Sequence, residues 1–345
     1  MRAIRKARPE PGLEVCEVPE PTVGPTDVLI RVRHAGVCGT DLHIADWDQW
    51  AQSRLHPPVV VGHEFAGEIV SAGDEVPSEL KVGQLVTAEG HIVCGHCRQC
   101  RMGDGHICRN TRIIGVDRDG AFAEYIAMPS GNVMGLNGIP TTTGAIMDPL
   151  GNAFHTVLAG DAVSGGTVLV LGCGPIGCFA VGIARAAGAA KVIASDINPK
   201  RLELARRMGA QVLLNAATEN VSARVAELTQ GEGADLVCEM SGHPDAVRQA
   251  FAGVRLGGRI NLLGLPRGDV PLPLSHDLIF KGVTVYGVIG RRMFETWHQM
   301  QRFLSSGLLD PTPVITHTFP LEAINDALEA IRSGAAGKVI LDIGS

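Results

Sequence analysis

Two periodicities divide this chain. Up to about residue 150 it reads as short strands broken by Gly and Pro. Val28, Ile30 and Val32 alternate with Leu29, Arg31 and Arg33, with Leu29 the one apolar exception. Segments 59–70 and 84–88 look similar, and together they predict an irregular β domain over 1–150. From about 153 the pattern changes. Continuous apolar runs at 167–171, 191–195, 234–238, 259–263 and 284–289 alternate with helical stretches, which predicts a parallel sheet covered on both faces over 151–290. Pro199 at a first turn, then Leu202, Leu204, Ala205 and Met208 with Gly209 as a stop, predict one covering helix. Beyond 290, amphipathic helices over 293–306 and 321–332 and a last strand over 338–343 are expected to return to the first domain as a C-terminal segment, 291–345. No internal repeat or low-complexity segment interrupts this α/β plan.

At 345 residues the chain is long enough for two domains and a large core. A formal net charge of −6 offers no basic stripe to nucleic acid. No apolar run approaches the length of a bilayer span. The start, Met1-Arg-Ala-Ile-Arg-Lys, is basic but has no apolar core of a secretory signal. Nine cysteines, an odd number with four in one lobe, predict a reducing compartment and a cytoplasmic protein. Expected partners are therefore a small-molecule substrate, with neither nucleic acid nor membrane.

Those four are Cys94-Gly-His-Cys97-Arg-Gln-Cys100 and Cys108, within a lobe at about 91–110. Four soft donors at this spacing predict a closed tetrahedral zinc site of structural type. A disulfide pair or a redox C-x-x-C fits less well, because three evenly spaced thiols suit chelation better than pairing. His96 and His106 are alternative donors in the same lobe and read as solvated loop residues. Cys173 and Cys178 read as core packing; Cys16 and Cys238 carry no assignment.

The run at 167–171 is followed by Gly172-Cys-Gly174-Pro-Ile-Gly177, then by an alanine-rich helix, and Asp196 ends the next strand. Strand, glycine turn, helix and a later acidic residue form the context a dinucleotide fingerprint requires. Gly172 makes the turn, Gly174 admits the pyrophosphate, and Gly177 lets helix and strand pack. The pyrophosphate then meets the free amides of the helix start. Asp196 can accept from both ribose hydroxyls and would repel a 2′-phosphate, so NAD is favoured over NADP. Arg201 could tolerate that phosphate or stack on the adenine.

Two further stretches carry chemistry: Cys38-Gly-Thr40-Asp-Leu-His43 and Gly62-His63-Glu64. Singly, each has a bland explanation, a small core cysteine or a chance His-Glu pair. Beside a nicotinamide site they supply a thiolate, an imidazole and a carboxylate, the donor set of an open, catalytic zinc.

With these motifs the chain resembles the zinc-dependent medium-chain dehydrogenase/reductase superfamily over essentially its whole length. Several stretches resemble the L-threonine 3-dehydrogenase family within it. They are Cys38-Gly-Thr-Asp-Leu-His-Ile with Asp46-Trp-Asp-Gln-Trp50, Glu89-Gly-His91-Ile-Val-Cys-Gly-His-Cys, Asp148-Pro-Leu-Gly-Asn-Ala-Phe-His155-Thr, Gly290-Arg-Arg-Met-Phe-Glu-Thr-Trp297 and Arg332-Ser-Gly-Ala-Ala-Gly-Lys-Val-Ile.

The resemblance implies a GroES-like β-barrel catalytic domain and a doubly wound Rossmann domain. It implies two zinc ions per chain, the catalytic one held by Cys38, His63 and Glu64, and a homotetramer. Asp148 stands where alcohol dehydrogenases place a second cysteine, and is read as a proton relay or transient ligand. Thr40 and His43 would carry the hydroxyl proton to solvent; a turn threonine and a surface histidine also need no function. Further NAD contacts are implied at Ile176, Leu263, Gly264, Leu265, Val288 and Ile289. The implied reaction is oxidation of the L-threonine 3-hydroxyl to L-2-amino-3-oxobutanoate with NADH. His91 is the candidate contact for the substrate's carboxylate or amino end, with Arg291 and Arg292 as weaker ones. The rival readings are a zinc-dependent polyol or 2,3-diol dehydrogenase, and a zincless NADPH-binding relative.

Overall fold

A computed structural model of the chain describes residues 1–334 and 336–344. Ala335, within the quoted 332–340 stretch, and Ser345, the end of the expected C-terminal segment, lie outside the described residues. The chain divides into two units. One comprises Met1–Asp148, Arg292–Gln301 and Ile315–Ser345; the other comprises Pro149–Arg291 and Arg302–Val314.

In the first unit, the alternation at Val28, Ile30 and Val32 buries those side chains along the strand Asp27–Val37. That strand is antiparallel to Glu64–Ala72, to Tyr125–Pro129 and to Lys338–Asp342. The seven-stranded sheet continues through Leu85–Ala88 and Val133–Gly135 at one side and Ile315–Pro320 at the other. In a small second sheet the central strand Arg2–Lys6 pairs antiparallel with Glu14–Glu17 on one side and Val59–Val60 on the other. The core includes Ile30, Phe65, Ile69, Phe122 and Val339.

The expected strand over 59–70 is broken in two at Val61-Gly62-His63. Gly62 has φ of +90°, and a Cβ there would meet the Phe122 ring at 2.2 Å, so the backbone turns where only glycine is tolerated. The break aims His63 and Glu64 inward.

The second unit holds six parallel strands in the order Val212–Asn215, Lys191–Asp196, Thr167–Leu171, Ala234–Glu239, Val254–Leu262 and Thr284–Gly287. Strands read from continuous apolar runs are thus parallel, but the edge strand Thr284–Gly287 is exposed along its length, against the expectation of cover on both faces. Helices Pro175–Ala186, Pro199–Arg207, Val221–Leu228 and Pro244–Gly253 connect them. The run at 284–289 ends early: Val288 still donates to the Leu262 carbonyl, but Ile289 leaves the ladder. The segment over 321–332 begins as a 3-10 turn, Leu321–Ala323, before the helix Ile324–Arg332.

Candidate active site

Cys38 caps the start of helix Gly39–Asp46, in extended conformation, and its amide donates to Asp41 Oδ2 at 2.8 Å. His63 and Glu64 arrive from the break at Gly62. Cys38 Sγ, a His63 ring nitrogen and a Glu64 carboxylate oxygen all lie within 4.8 Å of one another. Space for the carboxylate exists because Gly36 has no side chain; a Cβ there would stand 2.2 Å from Glu64 Oε2. Lys338 Nζ pairs with Glu64 Oε2 at 2.5 Å and donates to the Val37 carbonyl at 2.8 Å.

The electrostatics show what this group of donors attracts. Burial alone would drive His63 to its neutral form, yet its pKa is raised to about 10. The hydrogen bond and charge of Cys38, then Asp41 and Asp148, outweigh desolvation. Asp41, wholly buried, is pushed up to about 6 by desolvation, which His63 and the Cys38 amide oppose. A cluster of sulfur, nitrogen and oxygen donors that draws positive charge this strongly fits a divalent zinc.

Thr40 Oγ1 lies 3.8 Å from Cys38 Sγ. His43, on the same helix, donates from Nδ1 to Asp48 Oδ2 at 2.6 Å. Asp48 also caps helix Gln49–Arg54 by accepting from the Ala51 amide, a bond that with His43 holds its carboxyl below the usual range. Asp148 is buried at the start of helix Met147–Leu158. It groups with Glu89 and His91, each offering a ligand atom within 4.8 Å of the others. Of the arginines weighed as substrate contacts, Arg291 is buried and donates to Asn152 Oδ1, whereas Arg292 is half-exposed beside Glu295.

In the lobe, Cys94, Cys97, Cys100 and Cys108 come together. Their sulfurs are separated by 3.5 Å (Cys97 to Cys100), 3.6 Å (Cys94 to Cys108) and 3.8 Å (Cys97 to Cys108). A tetrahedron with zinc–sulfur bonds of about 2.3 Å has edges of about 3.8 Å, whereas a disulfide needs about 2.05 Å. The lobe therefore fits zinc and not a disulfide. The amides of His96 and Cys97 hold the Cys94 thiol down at about 5, whereas desolvation and its Cys97 neighbour push Cys100 up to about 12. His96 turns its Nδ1 to the Cys94 carbonyl, and neither His96 nor His106 joins the sulfur group.

In the second unit, Gly172 turns at φ +92° and Gly174 caps helix Pro175–Ala186. No side chain caps that helix start, so its first amides remain available to an anion. A Cβ on Gly174 would meet nothing within 4 Å, whereas one on Gly177 would stand 1.9 Å from the Gly172 carbonyl oxygen. Asp196 accepts from the Cys173 amide at 2.7 Å and the Asn198 amide at 2.8 Å. It lines a cavity of about 480 Å³ with Gly172, Arg201, Ser222, Ser241 and Arg248. An adenine and its ribose fit that volume, with Asp196 as acceptor for the hydroxyls.

The structure places Leu263 and Gly264 directly after the strand Val254–Leu262, where their amides donate to the Glu239 carbonyl. Leu265 is 89% exposed and Ile289 60%, while Val288 is buried. Ile176 lies in the first turn of the helix that Gly174 caps. None of these six, nor Gly174 and Gly177, lines the 480 Å³ cavity. They stand instead at the carboxyl ends of the parallel strands, where ligands of such sheets bind.

Sequence reasoning missed Asp41, Asp48, Glu89, Lys338, Ser241 and Arg248. Asp41, Asp48, Glu89 and Lys338 all lie inside quoted motifs, so a signal was present without a stated role. Ser241 and Arg248 follow the strand Ala234–Glu239 with no pattern to mark them.

Residues 24–138 match the model of the alcohol dehydrogenase GroES-like domain, and residues 175–306 that of the zinc-binding dehydrogenase family. The chain is 49% identical to the L-threonine 3-dehydrogenase of Bacillus licheniformis, over 99% of this chain and 98% of that protein. It is also 49% identical to that of Symbiobacterium thermophilum, over 99% and 97%. An alcohol dehydrogenase from Thermus sp. ATN1 superposes over all of both chains with a TM-score of 0.91 at 32% identity. No helix among the described residues is long and apolar enough to cross a membrane. With paired donor sets that fit zinc, a dinucleotide fingerprint in its structural context and near full-length likeness, the chain belongs to the zinc-dependent medium-chain dehydrogenases, in the L-threonine 3-dehydrogenase family.

Proposed function

We propose that the protein oxidises the 3-hydroxyl of L-threonine with NAD, giving L-2-amino-3-oxobutanoate, NADH and a proton. The observation that carries this is the convergence of Cys38, His63 and Glu64 donor atoms within 4.8 Å of one another, in a chain whose full-length relatives bear that activity as their name. When bound, a zinc ion there supplies a Lewis acid that makes the hydroxyl proton acidic near neutral pH, and NAD supplies the hydride acceptor.

The chain's own groups then have definable tasks. Thr40 Oγ1 takes part in removing the hydroxyl proton. His43 carries it outward: with Nδ1–H given to Asp48, its Nε2 bears the lone pair and can accept a proton. Half-exposed, His43 can then exchange with solvent. Asp148 remains either a relay for protons or a transient ligand. His91 is the proposed contact for the charged end of threonine. In the second unit, the open helix start at Gly174 would hold the pyrophosphate, and Asp196 the ribose. The Asp196 carboxylate disfavours a 2′-phosphate, so NAD is the proposed cofactor even with Arg201 beside it.

We further propose a second, structural zinc in the four-cysteine lobe, a cytoplasmic location and a homotetramer. Nine free cysteines support a reducing compartment. An unpaired edge strand, Thr284–Gly287, that exposes Val285 and Tyr286 supports assembly.

The deciding experiment assays freshly purified, metal-analysed protein with NAD or NADP against L-threonine, sorbitol and 2,3-butanediol. The reading expects two zinc per chain and NADH formation with threonine. Reduction of the coenzyme by a polyol or diol but not threonine would overturn it in favour of the rival enzyme. Zinc confined to the lobe, with no turnover, would favour a non-catalytic relative.

A further inference from the structure

Glu89 is a carboxylate with no exposed surface, 208 positions before an equally buried Trp297 whose indole Nε1–H donates to its Oε2 at 2.8 Å. The other oxygen, Oε1, accepts from the His91 amide at 3.0 Å and from the His91 ring Nδ1 at 2.8 Å. A buried carboxylate is expensive, and an apolar replacement of similar size is often neutral or stabilising to a fold. Here one of its oxygens takes both the amide and the ring Nδ1 of His91.

The backbone around that ring is held as firmly as the side chain. Asn132 accepts from the Glu89 amide through its carbonyl, and its side-chain amide donates to the carbonyls of both Glu89 and His91. Between them Gly90 passes so close to the metal-site loop that a Cβ would lie 3.1 Å from the His63 carbonyl. The segment 89–91 is thereby pinned against the proposed zinc ligands. His91 and Asp148 bring ligand atoms within 4.8 Å of each other.

We propose that Trp297 and Glu89 are positioning residues that fix the His91 tautomer, so that His91 acts as the acceptor for the α-ammonium of the substrate. This rests on the reading of the protein as a threonine dehydrogenase. The reasoning is one of donors and acceptors. A carboxylate can only accept, so His91 Nδ1 must carry its hydrogen towards Glu89. In the neutral ring the lone pair then belongs to Nε2. An ammonium has hydrogens to give and a carboxylate has none, so this tautomer selects the amino end of threonine over its carboxylate. Removing the indole N–H takes one donor from Glu89 Oε2, loosens the carboxylate and lets the ring change orientation or tautomer. Outer partners of this kind set ligand orientation without touching the reacting atoms.

The test is steady-state kinetics of the zinc-loaded protein with L-threonine and, as an analogue without the ammonium, 3-hydroxybutyrate. The unaltered protein should prefer threonine by at least about 10-fold in kcat/KM, the scale of a charge-assisted contact; equal use of both compounds would overturn the inference. Trp297→Phe keeps an aromatic ring and removes the donor, together with the volume of the lost pyrrole ring. It should raise KM for threonine about 3–10-fold with kcat changed less than about twofold, as for the loss of one hydrogen bond outside the reacting atoms. KM for NAD serves as the internal control and should stay put.

Glu89→Gln is the second variant, and should raise KM for threonine further. Because both changes act through one carboxylate, the double variant should be no worse than Glu89→Gln alone. A threonine KM unchanged in both single variants refutes the inference. So does a parallel fall in kcat and in the use of both substrates, which marks a purely structural role, or effects that multiply in the double variant. If the unaltered protein does not oxidise threonine, the proposed function itself fails; active protein with indifferent variants removes only the positioning network.

Discussion

The two later glycines of the fingerprint do different jobs, and adding one methyl to each should separate them. Gly177 faces its own protein. An alanine Cβ there would lie 1.9 Å from the Gly172 carbonyl oxygen, whereas carbon–oxygen contacts normally close no nearer than about 3.3 Å. Helix Pro175–Ala186 would have to move about 1.4 Å away from the turn, and both partners are backbone, so neither can swing aside. Overpacking of this severity costs about 3 kcal/mol, and the better helix propensity of alanine returns up to about 1 kcal/mol. The net of about 2 kcal/mol lowers Tm by about 4–8 °C in a unit of this size. Gly174 faces open space, with no atom within 4 Å of the added carbon and an ordinary φ of −62°. Gly174→Ala should therefore leave Tm within about 2 °C, the change at a helix cap from glycine to alanine being a fraction of a kcal/mol. It should instead keep the pyrophosphate from the helix amides and raise KM for NAD about 10–150-fold, the loss of a charge-assisted contact of about 1.5–3 kcal/mol. Thermal melts of the coenzyme-free protein and NAD titrations at saturating threonine read the two quantities separately. A Gly174→Ala variant that binds NAD normally would refute the assignment of the open helix start to the cofactor, and a Gly177→Ala variant of unchanged Tm would refute the packing role of Gly177.

Other outcomes follow from the two donor sets and their neighbours. Lys338→Met removes the ammonium beside buried Glu64. It should destabilise the zinc-free protein by about 3–5 kcal/mol, as breaking a buried pair does, and the zinc-loaded protein by less, because the ion carries a compensating charge. Equal Tm losses with and without zinc would count against Glu64 as a ligand. The Cys100 thiol, raised to about 12, still holds its proton at neutral pH, so loading the lobe must expel at least one proton. Zinc affinity should rise with pH between about 6 and 8, and calorimetry in buffers of different ionisation enthalpy should register the release; uptake without it would be inconsistent with the site. Asp48→Asn should lower kcat more than KM for threonine, since it takes away the carboxylate that orients the proposed proton carrier His43; an unchanged kcat would remove His43 from the path.

The alternation of polarity and the placement of Gly and Pro carried the fold far. Five of the six parallel strands follow from apolar runs, and Thr167–Leu171 has the expected bounds, whereas the short edge strand Val212–Asn215 was not read from the sequence. Less legible were charged short strands such as Arg2–Lys6, which pair because of their neighbours and not because of their own pattern. The expected strand over 59–70 missed its break, since nothing local says that Gly62 adopts positive φ; the Phe122 ring that demands it is sixty residues away. The same reason hid Trp297 behind its motif. Its partner Glu89 lies two hundred residues earlier, and a hydrogen bond of that span has no period to betray it. Donors with fixed short spacing, as in the cysteine lobe, were the opposite case.

The first unit is assembled from three separate stretches of chain, the last beginning at Ile315. As the polypeptide leaves the ribosome, the cysteine lobe is complete and can load its ion while more than half the protein is still untranslated. The Cys38 cavity cannot. The His34–Val37 end of strand Asp27–Val37 waits for Lys338–Asp342, and Glu64 waits for the ammonium of Lys338. On the proposed metal assignments, the reactive ion would be acquired late in biogenesis, and products of premature termination would emerge with the lobe able to fill and the reaction centre unformed.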